Sequence, residues 1–234
     1  NLNIMVKNHG VRLGVIKGID WFFNNVEYGI ILEEDLEILV KNPNDLFVLI
    51  INFLKANKNS VFNLSTFVNM NEQLKKGNND IGFYKNQDFY MWGWATHKTV
   101  WSDFKINIDN KNNIVSFIKS IPKFAVHEKI YWLSINRLIG IRQIDSWGYS
   151  FLFYSTIKSN LYTPSKSIVR NVGLYAGSNY SKLSIFNQDL KNINIKKYFV
   201  SNKKLKILEY NKILFRRNKK IRHNINYYSI AKAV

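Results

Sequence analysis

Apolar and polar positions along this chain fall into two rhythms, a period of about 3.6 and short unbroken apolar runs. Val15, Ile16, Ile19, Phe22, Phe23 and Val26 share one helical face, so "NHGVRLGVIKGIDWFFNNV" (8–26) predicts an amphipathic helix, with Gly10 and Gly14 at its opening. "YGIILEED" (28–35) is a brief apolar run that stops in carboxylates and predicts a buried strand. "NPNDLFVLIINFLKANK" (42–58) begins as a turn and becomes helical, with Asn44 or Asp45 as the expected N-cap. "LNIMVKN" (2–8) alternates as a strand does, and "SKSIVRNVG" (165–173) reads as a strand with a turn. Helical spacing recurs in "NIVSFIKSIPKF" (113–124), ended or kinked near Pro122, in "HEKIYWLSINRLIG" (127–140) and in "SWGYSFLFYSTIKSN" (146–160). Residues 75–82 and 108–113 are polar loops, and "FYMWGWATHKTVW" (89–101) is an aromatic cluster around Gly93. Strands alternating with helices predict an α/β fold with a mostly parallel sheet.

Composition changes this picture. The chain has 234 residues, 46% apolar and 15% aromatic, enough for a substantial core. It has no cysteine, which excludes disulfides and thiolate metal sites. The longest apolar run, Leu46 to Leu54, is broken by Asn52 and is too short to span a bilayer. Net charge is +18, and it is uneven: residues 182–234 carry 14 basic and 2 acidic side chains. Such a surface attracts nucleic acid, phosphorylated small molecules or anionic lipid.

Against that background Glu33, Glu34 and Asp35 stand out. Carboxylates at i and i+2 of an extended segment share a face, and the carboxyl end of a parallel strand opens on the crevice where α/β proteins bind ligands. Glu33 and Asp35 could together hold Mg²⁺ or Mn²⁺ bridging a diphosphate. A solvated strand-to-loop turn is the plainer alternative.

The surrounding motifs resemble the nucleotide-diphospho-sugar glycosyltransferases of A-type fold, and specifically the family-2-like bacterial sugar transferases. The match runs through Asn8, Gly10, Gly14 and Val15, then Trp21-Phe22-Phe23, then Gly29-Ile30-Ile31-Leu32-Glu33-Glu34-Asp35. It continues with Trp92-Gly93-Trp94-Ala95-Thr96, then with Asp145-Ser146-Trp147, and ends in Ser167, Val169, Asn171, Val172 and Gly173. The resemblance covers about residues 2–181 and implies a three-layer α/β sandwich with a mostly parallel central sheet. It implies Asp35 as a metal ligand with Glu33 beside the metal or donor ribose, and Asn8, Gly10, Arg12, Glu33 and Glu34 around the donor. Trp92, Gly93, Trp94, Ala95 and Thr96 would line the sugar and acceptor pocket. Asp145 would be the general base, although an Asp just before a helix is most often a cap.

The departures are Glu34 for Asp, His97 for an aromatic, Tyr175 for Asp, and Asn179-Tyr180 for Thr-His. The family's first β-α unit has no counterpart ahead of Asn8, so the expected organisation is a catalytic domain over 1–181 lacking that unit and a basic extension over 182–234. Arg12 and Lys17 could add positive charge for phosphate, or be ordinary surface. Trp101 reads as core, and His9, His127 and His223 as structural or surface; His97 is a weak acceptor-pocket candidate.

The implied function is transfer of a sugar from a nucleotide-diphosphate donor, with Mn²⁺ or Mg²⁺, to a hydroxyl on a glycan or lipid-linked acceptor. The implied setting is bacterial surface-polysaccharide or glycan synthesis in the cytoplasm, at the inner face of the membrane. "KKLKILEYNKILFRRNKKIRH" (203–223) interleaves Ile207, Leu208, Ile213, Leu214 and Phe215 with cations, as an interfacial helix on anionic lipid would, or as a solvated tail would. A basic nucleic-acid-binding module is the rival from another class. It accounts for neither the acidic triplet nor the motif order, and no specific nucleic acid is expected. An inactive transferase remnant is the third reading.

Overall fold

The computed structural model describes residues 9–66, 81–86, 89–109, 126–141, 147–172 and 204–208. The predicted elements at 2–8 and 113–124, and Asn8, Asp145, Gly173, Tyr175, Asn179, Tyr180 and His223, lie outside these residues.

The fold is α/β. Helix α1 (Gly10–Asn25) leads into β1 (Tyr28–Ile31), and β2 (Leu36–Ile38) precedes α2 (Pro43–Ala56) and β3 (Ser60–Asn63). β4 (Gly82–Asn86), β5 (Trp94–His97) and α3 (Lys98–Asp109) follow. Then come α4 (Val126–Gly140), α5 (Trp147–Lys158), β6 (Asn160–Pro164), β7 (Val169–Asn171) and β8 (Lys206–Leu208). The N-cap of α2 is Asn42, one residue before Pro43, rather than Asn44 or Asp45. Proline is well suited there, because the first helical N–H has no intrahelical partner to lose.

Six strands form the main sheet in the order β1-β5-β3-β6-β4-β8, and β2 pairs with β7 in a separate two-stranded ladder. The main sheet is mixed, not mostly parallel: β1–β5, β3–β5 and β4–β6 are antiparallel, and β3–β6 and β4–β8 are parallel. The physical reason is β5. It slots between β1 and β3 and runs against both, while β4 runs against β6 and carries β8 with it, so β1, β3 and β6 point one way and β4, β5 and β8 the other.

Consecutive residues of the central strands feed two cores, as the twofold pleat requires. Phe62, Ala95 and Tyr162 face α2, where Leu46, Ile50 and Leu54 are fully buried. Val61, Trp94 and Leu161 face α1, α3 and α5, where Ile19, Phe23, Trp101, Phe104, Trp147 and Phe151 pack around Trp94. Helices therefore cover both faces of the sheet. Trp94 meets Phe151 at 4.8 Å and Trp147 at 5.7 Å between ring centroids, so this second core is mainly aromatic. The apolar face expected for α1 is the one used, with Ile19 and Phe23 buried, while Val26 is exposed just past the helix end. α4 stacks on α5 through Trp132 and Phe153, 5.0 Å apart.

The expected extension over 182–234 is not wholly separate from the domain. β8 falls inside it and adds to the sheet beside β4, with Phe83 opposite Ile207. Among the described residues, no helix is long and apolar enough to cross a membrane.

Candidate functional site at the carboxyl end of β1

Because β1, β3 and β6 run the same way, their carboxyl ends lie along one edge of the sheet. The acidic triplet is there, directly after β1. It is not extended: the Leu36 N–H donates to the Glu33 carbonyl at 3.2 Å, closing a tight turn over Glu33, Glu34 and Asp35. The i, i+2 face-sharing expected of an extended segment is thus replaced by turn geometry.

Asp35 is fixed from a distant part of the chain. β2 and β7 pair antiparallel with Leu36 opposite Asn171, and just before that pair the Val172 N–H donates to the Asp35 carbonyl at 2.8 Å. The Asn171 side-chain amide donates to Asp35 Oδ2 at 2.9 Å. The other carboxylate oxygen, Oδ1, is buried and has no hydrogen-bond partner among the described residues. An ionised oxygen removed from water without a donor is costly. Glu33 is partly buried, and its carboxyl is pushed up from 4.5 to about 7, first by burial and then by the charges of Asp35 and Glu34. Glu34 is exposed. Excess negative charge here would be relieved by a proton or by a cation.

Contacts at Gly93 and Gly148 bring other motif blocks to this edge. Gly93 has φ +73, a left-handed value, and a Cβ there would lie 3.1 Å from Val169, 3.2 Å from Leu32 and 3.3 Å from Leu64. Gly93 therefore sits between the residue preceding the acidic turn and the strand that carries Asn171. A Cβ on Gly148, at the start of α5, would overlap the Met91 thioether. A Cβ on Gly29 would overlap the Phe22 ring, which accounts for the pairing of Trp21-Phe22-Phe23 with Gly29 in the sequence. The buried Asn63 completes the edge: its amide donates to Thr163 Oγ1 at 2.7 Å and accepts the Tyr90 N–H at 2.9 Å.

The expected pocket block divides. Trp94, Ala95 and Thr96 are in the core, and Thr96 donates its hydroxyl to the Ser60 carbonyl. Their side chains are not open to a sugar. Gly93 and the partly buried Trp92 are what this block offers at the edge. His97 is opposite Tyr28, at the end of β1 away from the acidic turn, so it is not brought to the site. It is buried and accepts the Thr99 N–H at Nδ1, and burial together with Lys58 and Lys98 lowers its pKa. Trp101 is core, as expected, with its indole N–H donating to Asp20 at 2.7 Å.

Gly10 opens α1 with φ +72. Arg12 is partly buried, with Nε lacking a hydrogen-bond partner among the described residues. Lys17 reaches back to within 3.1 Å of His9 Nε2.

As a cation site the set of protein ligands is incomplete. Among the described residues no group of three or more His, Asp or Glu is gathered to hold a metal ion. Asp35 Oδ1, without a partner among the described residues, and the raised ionisation of Glu33 leave oxygen donors of the kind a hard cation takes. The motif reading included Asn171 but gave it no task. The sole hint in the sequence was an amide side chain in a strand of otherwise apolar and basic residues. Comparison with protein families and with curated proteins finds no match to this chain.

Proposed function

We propose that this chain is a metal-dependent glycosyltransferase of A-type fold, moving a sugar from a nucleotide-diphosphate donor to a hydroxyl of a glycan or lipid-linked acceptor. The observation that carries the reading is the carboxylate turn at the carboxyl end of β1, with Asp35 held on one oxygen and its other oxygen without a partner among the described residues. A sheet edge of this kind is where α/β folds place ligands.

In this reading Asp35, through Oδ1, and Glu33, once it releases its proton, would hold Mn²⁺ or Mg²⁺. The ion would supply neutralisation of the charge that develops on the departing diphosphate. Gly93, lacking a side chain, lets the backbone come close to the donor, and Trp92 offers a ring face to sugar C–H groups. Gly10 and Arg12 at the opening of α1 would meet phosphate. Asp145 would take the proton of the acceptor hydroxyl if the reaction inverts configuration. The setting is surface-polysaccharide or glycan assembly at the inner face of a bacterial membrane. Lys204 and Ile207, at the start of the cationic stretch over 203–223, are exposed, as contact with anionic lipid would require.

The test is release of nucleoside diphosphate from a panel of UDP- and GDP-sugars. Release that requires Mn²⁺ or Mg²⁺ and is lost in Asp35→Asn supports the reading. Release independent of both overturns it.

A further inference from the structure

We propose that Asn171 is a positioning residue for Asp35: by holding Oδ2 it aims Oδ1 at the cation and fixes the carboxylate before any ligand arrives. This rests on the glycosyltransferase reading of the site and adds a task for a residue 136 positions away from Asp35 in sequence.

The argument is geometric. An aspartate side chain in a turn has two rotatable bonds and would ordinarily sample several orientations. Here the backbone beside Asp35 is pinned and a hydrogen bond holds the side chain itself. The Asp35 carbonyl is fixed by the Val172 N–H at 2.8 Å, Leu36 is in register with Asn171, and the side-chain amide reaches Oδ2 at 2.9 Å. Asn171 is itself 8% exposed, so its amide is held in place by packing.

An amide suits this place for three reasons. It donates to a carboxylate, which strengthens the bond relative to a neutral pair. It carries no charge, so it leaves the negative charge of the turn for the cation. It engages one oxygen, which accounts for the asymmetry between the bonded Oδ2 and the buried Oδ1, which has no partner among the described residues. Lysine or arginine at this position would neutralise the turn and compete with the cation.

The same ladder carries a second clamp that does not touch Asp35. Arg170 pairs with Glu37, Nε to Oε2 at 2.7 Å and Nη2 to Oε2 at 2.6 Å. Breaking it weakens the β2–β7 ladder without removing the Asn171 amide. It therefore separates a positioning role from plain support of the ladder.

The experiment is a Mn²⁺ titration of the full chain followed by the electron paramagnetic resonance of free Mn²⁺, alone and with UDP, GDP or CDP. Wild type is compared with Asp35→Asn, Asn171→Leu and Arg170→Gln, each checked for wild-type circular dichroism. Asn171→Leu keeps the shape and removes the donor. Asn171→Ala is the second variant should the leucine not fold. Loss of a hydrogen bond that orients a metal ligand typically costs about 10–100-fold in metal affinity.

The expected result is weakening of that size in Asn171→Leu, with Arg170→Gln within about twofold of wild type, well inside that range. Wild-type affinity in Asn171→Leu, with binding lost in Asp35→Asn, would overturn the positioning role and leave the site intact. Equal weakening in Arg170→Gln and Asn171→Leu would also overturn it, because ladder stability would then explain both. No Mn²⁺ binding by wild type under any condition would overturn the glycosyltransferase reading, and this inference with it.

Discussion

Replacing Glu33 by glutamine should stabilise the protein at alkaline pH and not at acid pH. Glu33 ionises near 4.5 in an unfolded chain, but in the fold its carboxyl keeps its proton up to about 7. Between those values the folded state binds more protons than the unfolded state, so stability falls as pH rises through that window. Below about 4.5 the cost is absent, and above about 7 it is complete. A shift from 4.5 to about 7 corresponds to an upper bound of about 3.4 kcal/mol at 1.36 kcal/mol per unit. Glu33 is only partly buried, so solvent screening reduces this to about 1–2 kcal/mol. Urea unfolding of wild type and Glu33→Gln at pH 4 and pH 8 reads the effect as the difference in midpoint at constant slope. The variant should gain about 1–2 kcal/mol relative to wild type between the two pH values, or roughly 2–8 °C in Tm for a chain of this size. Added Mn²⁺ at pH 8 should recover the difference in wild type alone. A gap between the two proteins that does not change with pH would refute the account of the acidic turn as a site of unrelieved charge.

Three other perturbations test the packing that holds this edge. Gly148→Ala should cost about 1–3 kcal/mol, the usual range for overpacking, and Met91→Ala in the same chain should recover part of it, read by chemical denaturation. Gly93→Ala should cost about 1–3 kcal/mol, because a left-handed φ of +73 is combined with close contacts to Val169, Leu32 and Leu64; a thermal melt within error of wild type would sink that reading. Asn63→Leu should cost about 1–3 kcal/mol, since the Tyr90 N–H loses its buried acceptor, and hydrogen exchange at Tyr90 should quicken.

How far the sequence foretold this molecule depends on the kind of element. α1, α2, α4 and α5 were legible because each buries one stripe against a neighbour, and a stripe leaves a 3.6-residue period. β1 was legible as an apolar run that stops abruptly. β3 and β5 were not: every residue of Ser60–Asn63 and of Trp94–His97 is buried, so no alternation survives to mark a strand. β6 follows α5 after a single residue, Ser159, and its start reads as the last turn of the helix. α3 was read as part of an aromatic cluster and a loop because its sequence, "KTVWSDFKINID", is largely polar after Trp101. Missing β5 and β4 is what made the sheet look mostly parallel, since both run against β6 and β3. At the site, the glycines and the carboxylates could be picked out by type. The Asn171–Asp35 bond could not, because it depends on a ladder register that only tertiary structure sets.

The most direct test of the central claim is a thermal-shift panel of UDP-, GDP- and CDP-sugars, with and without Mn²⁺, on wild type and Asp35→Ala. Ligand at about 100 times its Kd stabilises by about 2.7 kcal/mol, which corresponds to roughly 5–10 °C here. The account predicts a shift of that order with one nucleotide class, dependent on Mn²⁺ and absent in Asp35→Ala. No shift with any nucleotide sugar, or an equal shift without metal and without Asp35, would contradict it.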